Sequence, residues 1–332
     1  MTLKSRTVLV TGAGGFVGSH LVENLISKGF NVKCFVRYNS RNDAGLLKDI
    51  NSSLFNEIDI ISGDLRDYHA VCQAVKGVDV IFHLGALIAI PYSYKHPKDV
   101  IDININGTLN VLTAAKNYSI SKVVHTSTSE VYGTANYVPI DEKHPLQAQS
   151  PYAASKISAD KIAESFYCSY NLPIATIRPF NIYGPRQSAR AVIPTIITQA
   201  LNNEDIYLGS LKPTRDYTYV TDTVKAFIKI AESDISIGKT YNIGSNKEIS
   251  IGNLAQTIIN LINPSCKIIQ EDKRKRPQKS EVEQLRADNT LALNEIHWQP
   301  SISLKEGLSR TINWFKATKA TVQNYSVKDY II

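Results

Sequence analysis

The segment TVLVTGAGGFVG, running from Thr7 to Gly18, decides the fold. Thr7–Thr11 is a compact run of apolar and β-branched residues stopped by Gly12, the composition of a strand buried on both faces of a parallel sheet. Beyond the glycines, Val17, Leu21 and Leu25, with Val22 and Ile26 beside them, recur at helical spacing and give that helix one apolar face. Gly12, Gly15 and Gly18 thus stand on a strand-to-helix turn. Glycine is needed there because the turn is tight, the backbone must approach a pyrophosphate, and the helix packs closely on the sheet. The helix start adds unpaired N–H groups and a positive dipole end for the phosphates. A glycine-rich turn without a ligand is the alternative, and the placement inside a βαβ unit favours dinucleotide binding.

Outward from this unit the alternation continues. Strands are expected at Asn31–Val36, Ile58–Ser62, Val78–Leu84, Lys122–Ser127 and Ile174–Arg178, and helices over 65–76, 97–117 and 150–170. Such alternation builds βαβ units and a parallel sheet. The expected fold is therefore α/β: a Rossmann-like doubly wound sheet over 1–180, then a smaller C-terminal α/β substrate-binding lobe over 181–332. In that second part, turns such as Tyr183-Gly184-Pro185-Arg186 and Lys212-Pro213-Thr214 separate shorter helices near 191–202, 221–233, 252–262 and 303–318. Thr240–Gly244 reads as a strand that could return to the large sheet.

The 332 residues are 43% hydrophobic and 20% charged, and 37 Lys+Arg against 30 Asp+Glu leave a net +7. That excess is spread along the chain, apart from Lys273-Arg274-Lys275-Arg276, and suits an anionic small molecule as readily as a nucleic acid. Aromatic platforms are not interleaved with it, which argues against nucleic acid as a partner. No apolar run reaches the roughly 18–20 residues of a membrane span, and Met1–Arg6 lacks the apolar stretch of a leader. Cys34, Cys72, Cys168 and Cys266 show no paired spacing, so free thiols in a cytoplasmic protein are expected. His20, His69, His83, His125 and His144 show no ligand spacing either, and no metal site is expected.

A dinucleotide site for NAD usually carries Asp or Glu at the end of the second strand, to hold the ribose 2′-hydroxyl. Here the chain reads Cys34-Phe35-Val36-Arg37-Tyr38-Asn39-Ser40-Arg41. Guanidinium groups bind a 2′-phosphate that a carboxylate would repel, so Arg37, Ser40 and Arg41 point to NADP, with NAD as second choice. The alternative for Arg37 and Arg41 is a solvated loop. Asp64, after the third strand, is placed to hydrogen-bond the adenine amine.

Tyr152 and Lys156 form Y-x-x-x-K after Ser150-Pro151, one turn apart on one helix face. A phenol with a pKa of about 10 is a poor base at neutral pH, and a neighbouring ammonium favours the phenolate. The pair can then take a proton from a sugar hydroxyl as hydride leaves its carbon.

With these motifs in place, the chain resembles the extended short-chain dehydrogenase/reductase family that modifies nucleotide sugars. The resemblance rests on Thr11–Gly18, His83–Ala86, Asn104–Thr108, Ser127–Gly133, Tyr152 with Lys156, Arg178–Pro185 and Arg215–Tyr217. One departure is Gly85, where the family more often has Ala. The resemblance implies further cofactor contacts at Phe16, Val17, Leu65, Leu84 and Ala86, besides Tyr152 and Lys156. It implies substrate contacts at Ile88, Pro91, Asn181, Arg190, Arg215 and Arg276, with Arg215 and Arg276 serving phosphate, Asn181 the sugar-phosphate region, and a solvated loop as the alternative for Arg276. It also implies a homodimer, paired through helices 97–117 and 150–170.

Within Thr126-Ser127-Thr128-Ser129-Glu130-Val131-Tyr132-Gly133, the resemblance makes Thr128 the partner of the reacting 4-hydroxyl. Glu130 separates the hypotheses. Once C4 is a ketone its C5 proton is acidified, and a carboxylate nearby can remove it; simple 4-epimerases usually lack that carboxylate. Many 4,6-dehydratases place Asp before this Glu, whereas this chain has Ser129, a far weaker acid; either Glu130 performs both transfers or a water helps. Thr-Ser-Glu also occurs in the family's uronic-acid decarboxylases. The stretches Leu87–Tyr94, Asp141–Leu146 and Pro185–Pro194 look like nucleotide-GlcNAc 4,6-dehydratases of nonulosonic (legionaminic or pseudaminic) acid pathways. The expectation is therefore an NAD(P)-dependent hydro-lyase acting on a GlcNAc nucleotide, with UDP as the favoured nucleotide. A 4-epimerase and a decarboxylase are the alternatives.

Overall fold

The computed structural model describes residues 6–318; Met1–Ser5, part of the stretch read above as lacking a leader, lie outside the described residues. Seven strands form one sheet: β1 (Thr7–Thr11), β2 (Asn31–Arg37), β3 (Ile58–Gly63), β4 (Val80–His83), β5 (Lys122–Thr126), β6 (Ile174–Pro179) and β7 (Thr240–Ile243). Their order is β3-β2-β1-β4-β5-β6-β7, and every pairing is parallel. This is the expected Rossmann-like sheet. The order reverses between β1 and β4, so the crevice beyond their carboxyl ends is where such folds bind ligands.

Both faces of the sheet are covered, which is why its strands read as continuous apolar runs. Helix α1 (Phe16–Ser27) covers one face, while α2 (Tyr68–Val75), α3 (97–117) and α4 (Pro151–Tyr170) cover the other. Alternation along β1 divides the core accordingly: Val8 and Val10 join the first apolar cluster, and Leu9 the second. Helix α3 is not regular throughout. Its segments Pro97–Ile101 and Gly107–Asn117 are joined by a π-helical turn at Asp102–Asn106.

Beyond residue 180 the chain does not stay away from the sheet. Helix α5 is Val192–Leu201, and α6, Val220–Glu232, lies on α1, β5 and β6; β7 then pairs with β6. Helices α5, α7 (Ile251–Ile262) and α8 (Leu304–Ala317) pack on one another, and their Ile196, Ile258 and Leu308 belong to the same apolar cluster as Val8 and Val10. One continuous core joins the two parts.

The glycine turn has a steric cause. Gly12 has φ +70°, and a Cβ there would lie 2.9 Å from the Gly85 backbone; a Cβ on Gly18 would lie 2.2 Å from the Gly12 carbonyl oxygen. Gly18→Ala is therefore expected to cost about 1–3 kcal/mol in urea unfolding and to weaken dinucleotide binding. An unchanged unfolding midpoint would refute this packing.

Candidate active site

The sheet's carboxyl edge assembles the site. At its first station, the N-cap of α1 is Gly15 in extended backbone, with no side-chain cap and no acidic residue in the first turn. The amides of Phe16, Val17 and Gly18 are thus left to a ligand, and a pyrophosphate fits the cradle that the glycines leave. Leu84 and Ala86 follow β4 beside this turn, and Gly85 N–H donates to Thr11 Oγ1 at 3.0 Å. The Gly85 departure has a packing reason: a Cβ there would lie 2.7 Å from Leu65 Cδ1, and Leu65 is buried.

A directed chain of hydrogen bonds runs behind the loop. Thr11 Oγ1, having accepted from Gly85, donates to His83 Nδ1 at 2.8 Å; His83 Nε2 donates to Thr108 Oγ1 at 3.0 Å, which donates to the Asn104 carbonyl at 2.6 Å. Burial pulls His83 well below the ordinary imidazole range, with His125 and Lys156 adding to the effect, so it stays neutral.

At the end of β2, Arg37, Ser40 and Arg41 are exposed, and neither arginine makes an ion pair among the described residues. The loop beneath them is shaped by Asn39, whose Oδ1 accepts from Arg41 and Asp43 N–H. Asp64, read as an adenine contact, is engaged through both oxygens by Arg66, at 2.7 and 3.0 Å.

The side chains singled out for catalysis in the sequence lie at the end of β5 and the start of α4. Ser150 caps α4 by accepting from Ala153 N–H, and Pro151 occupies its first turn. Tyr152 and Lys156 are buried, with Lys156 Nζ donating to the Thr126 carbonyl at 2.6 Å. Thr128 Oγ1 accepts from Glu130 N–H at 3.2 Å, which leaves its own hydrogen for the bond to Tyr152. Burial raises the Tyr152 phenol; the Thr128 bond opposes this, and Glu130 and Asp160 add to it. Lys156 is pulled down to about 8 by burial, against the push of Asp160. Ser129 is buried at the start of the 3₁₀ turn Ser129–Tyr132.

Glu130, its side chain only 13% exposed, faces a row of charges. Arg276 Nη1 lies 3.8 Å from Glu130 Oε2 and 4.0 Å from Glu281 Oε1, and Glu281 Oε1 is 3.4 Å from Arg215 Nη2. Arg276 Nη1, Asn181 Oδ1 and Tyr217 Oη are buried polar atoms without a hydrogen-bond partner. Atoms so placed lose about 1–3 kcal/mol each unless something fills the space, and an anionic ligand would satisfy the guanidinium. Pro91 is half-buried, whereas Ile88 (69%) and Arg190 are exposed. Among the described residues no group of His, Cys, Asp and Glu could hold a metal, and no helix is long and apolar enough to cross a membrane.

The family model described as GDP-mannose 4,6 dehydratase matches residues 9–311. The chain belongs to that family. It is an enzyme of the NDP-sugar dehydratase and epimerase group, with an NAD(P)-binding Rossmann sheet. Among its relatives, the UDP-glucose 4-epimerase of Mycolicibacterium smegmatis is 33% identical, covering 93% of this chain and 98% of its own. The UDP-N-acetyl-alpha-D-glucosaminuronate decarboxylase of Bacillus cytotoxicus is also 33% identical, covering 93% and 97%. The UDP-N-acetylglucosamine 4-epimerase of Methanobrevibacter ruminantium, solved with UDP-N-acetylmuramic acid, superposes with a TM-score of 0.86 at 33% identity, covering 95% and 99%. The dTDP-glucose 4,6-dehydratase of Streptomyces venezuelae, solved with NAD bound, has a TM-score of 0.84 at 26% identity, covering 95% and 98%.

Several residues of this family member's site escaped the sequence reading. Glu281 carried no motif signal of its own, and Tyr217 was only part of Arg215-Asp216-Tyr217. Asn104, in the π-helical turn, donates to Ser155 Oγ and the Leu87 carbonyl and accepts from Leu87 N–H, tying α4 to the loop after β4. Its place in a quoted motif was the only available clue. Tyr152→Phe should lower cofactor reduction by substrate about 10²–10⁴-fold while leaving dinucleotide affinity within a few-fold, by stopped-flow absorbance and calorimetry. Retained reduction would remove Tyr152 from the chemistry.

Proposed function

We propose that the protein is a nucleotide-sugar 4,6-dehydratase, converting NDP-GlcNAc, with UDP as nucleotide, into the NDP-4-keto-6-deoxy sugar. The observation that carries this is Glu130, a shielded carboxylate two residues past Thr128 whose charge reaches the Tyr152 phenol. A 4-epimerase needs the Thr128–Tyr152 pair and has no task for a carboxylate here. The likeness of Leu87–Tyr94, Asp141–Leu146 and Pro185–Pro194 to nucleotide-GlcNAc 4,6-dehydratases supports GlcNAc as the sugar, and a place in legionaminic or pseudaminic acid formation.

Bound NAD(P) supplies the hydride acceptor for C4 and the hydride donor for C6. Tyr152, beside Lys156, takes the proton of the 4-hydroxyl while Thr128 holds its oxygen. The carbonyl so formed acidifies C5–H, and Glu130 removes that proton. Glu130 then gives it to the C6 oxygen, the C6–O bond breaks, and water leaves as the C5=C6 double bond forms. The product would be completed by hydride returned to C6 from the reduced cofactor and a proton taken up at C5 from solvent, while Tyr152 releases the 4-hydroxyl proton to solvent. Ser129 is too weak an acid for the departing hydroxyl, so Glu130 serves twice. Arg215 and Arg276, with Asn181, receive the diphosphate. Arg37, Ser40 and Arg41 supply cations and a hydroxyl for a 2′-phosphate, which favours NADP over NAD. Ile101, Leu109 and Tyr170, exposed on α3 and α4, support a homodimer through those helices.

The epimerase reading has its own support in the similarity to the UDP-N-acetylglucosamine 4-epimerase, and the decarboxylase in that of the B. cytotoxicus enzyme. Product mass separates the three. With UDP-GlcNAc the product should lose one water and leave no net reduced cofactor; unchanged mass with UDP-, GDP-, CDP- and dTDP-GlcNAc would reject dehydration. Glu130→Gln should still oxidise C4, so reduced cofactor accumulates and water is not lost. Normal dehydration by that variant would exclude Glu130. Arg37→Glu should lower NADP affinity about 10-fold or more relative to NAD, by titration; an unchanged ratio would assign Arg37 to the solvated loop.

A further inference from the structure

Beneath the reactive pair lies a buried charge network with no assigned part in the chemistry. Asp160, one turn past Lys156 on α4, is buried together with His125, Ser127 and Arg178. Its Oδ1 accepts from His125 Nε2 at 3.0 Å. Its Oδ2 accepts from Ser127 Oγ at 2.7 Å and from Arg178 Nε and Nη2 at 3.2 and 3.0 Å. Arg178 Nη1 in turn donates to Tyr132 Oη at 3.0 Å, and Tyr132 donates to Asn242 Oδ1 at 2.7 Å. The network joins α4 to β5, β6 and β7.

We propose that Asp160, held by Arg178, His125 and Ser127, is a positioning residue that sets the protonation balance of Tyr152 and Lys156, and with it the pH range of C4 oxidation. The inference rests on Tyr152 and Lys156 as the acid–base pair and is independent of whether dehydration or epimerisation follows.

Two observations carry it. Geometrically, Asp160 sits on the helix turn below Lys156, whose ammonium is anchored to the same strand end, at the Thr126 carbonyl. Electrostatically, burial pulls Lys156 down and Asp160 opposes it; burial raises Tyr152, and Asp160 raises it further. The other ionisable groups around the pair are His125 on β5, His83 on β4, Glu130 after β5, and Arg178 on β6 behind Asp160. Burial lowers both histidines, which leaves them neutral. Burial also works against ionisation of Asp160, but the His125 bond and the cations Arg178 and Lys156 override it, so the carboxylate is charged.

The sign follows. Removing the negative charge lets Lys156 lose its proton at lower pH, and lets Tyr152 ionise at lower pH as well. Both limbs of the rate profile then move toward acid together. A purely structural loss would lower the rate at every pH and leave the midpoints in place.

The test is single-turnover cofactor reduction by substrate against pH, for wild type, Asp160→Asn, Asp160→Glu and the double variant Asp160→Asn/Arg178→Gln. Asp160→Asn should move the profile about one pH unit toward acid, and Asp160→Glu, which keeps the charge, should restore the wild-type position. If the single Asn variant fails to fold because Arg178 is left uncompensated, the double variant removes that charge too. It should show a smaller move in the same direction, because a cation leaves as well. Unmoved midpoints in the folded Asn-containing variants would overturn the proposal. Retained C4 oxidation in Tyr152→Phe would instead overturn the acid–base assignment beneath it.

Discussion

A carboxylate in a protein interior is tolerable only when fully partnered, because an ionised group loses far more on leaving water than one contact returns. Asp160 meets that condition with four donor groups from three side chains, Ser127, His125 and Arg178. The partners sit on or just past two neighbouring strand ends, His125 and Ser127 at β5 and Arg178 at β6. Helix α4 therefore has one allowed register against the sheet. That register places Tyr152 and Lys156 against the turn holding Thr128 and Glu130.

A second constraint acts at the open side of the site. Arg276 lies between Glu130 and Glu281, at 3.8 and 4.0 Å, Glu281 also meets Arg215 at 3.4 Å, and Arg276 Nη1 has no hydrogen-bond partner. Arg215 is bonded to the Thr214 carbonyl and Glu281, whereas Arg276 is placed between two carboxylates with Nη1 left unsatisfied. Such an arrangement suits a dianionic ligand, since charge-assisted bonds to phosphate oxygens complete what the carboxylates leave undone.

The relatives epimerise, decarboxylate or dehydrate on one scaffold, as is common for folds of this kind. What they share with this chain is the fold, at TM-scores of 0.86 for the epimerase and 0.84 for the dehydratase. In this chain the short turn Ser129–Tyr132 is shaped by Thr128 capping Glu130 and by Tyr132 bonded within the Asp160 network.

The sheet, its helices and the glycine turn were legible from local pattern, because apolar period and glycine placement are set by each segment's own burial. The return of Thr240–Ile243 to the sheet edge was visible as a strand-like run, and Tyr152 with Lys156 as a spaced motif, whereas Thr128 was singled out by the family resemblance. Beyond residue 180, where turn density changes, α6 lies on α1 and β7 pairs with β6. Charge partners were not legible at all. Glu130 meets Arg276 across 146 positions of sequence, which no spacing rule encodes. Asp160 finds Arg178, and Asp64 turns to Arg66, through packing that only the folded chain creates. The sequence determined which elements form and which chemistry they carry, since those depend on neighbours along the chain. Tertiary structure alone decided which charges face each other, because electrostatic pairing depends on distance and burial in space.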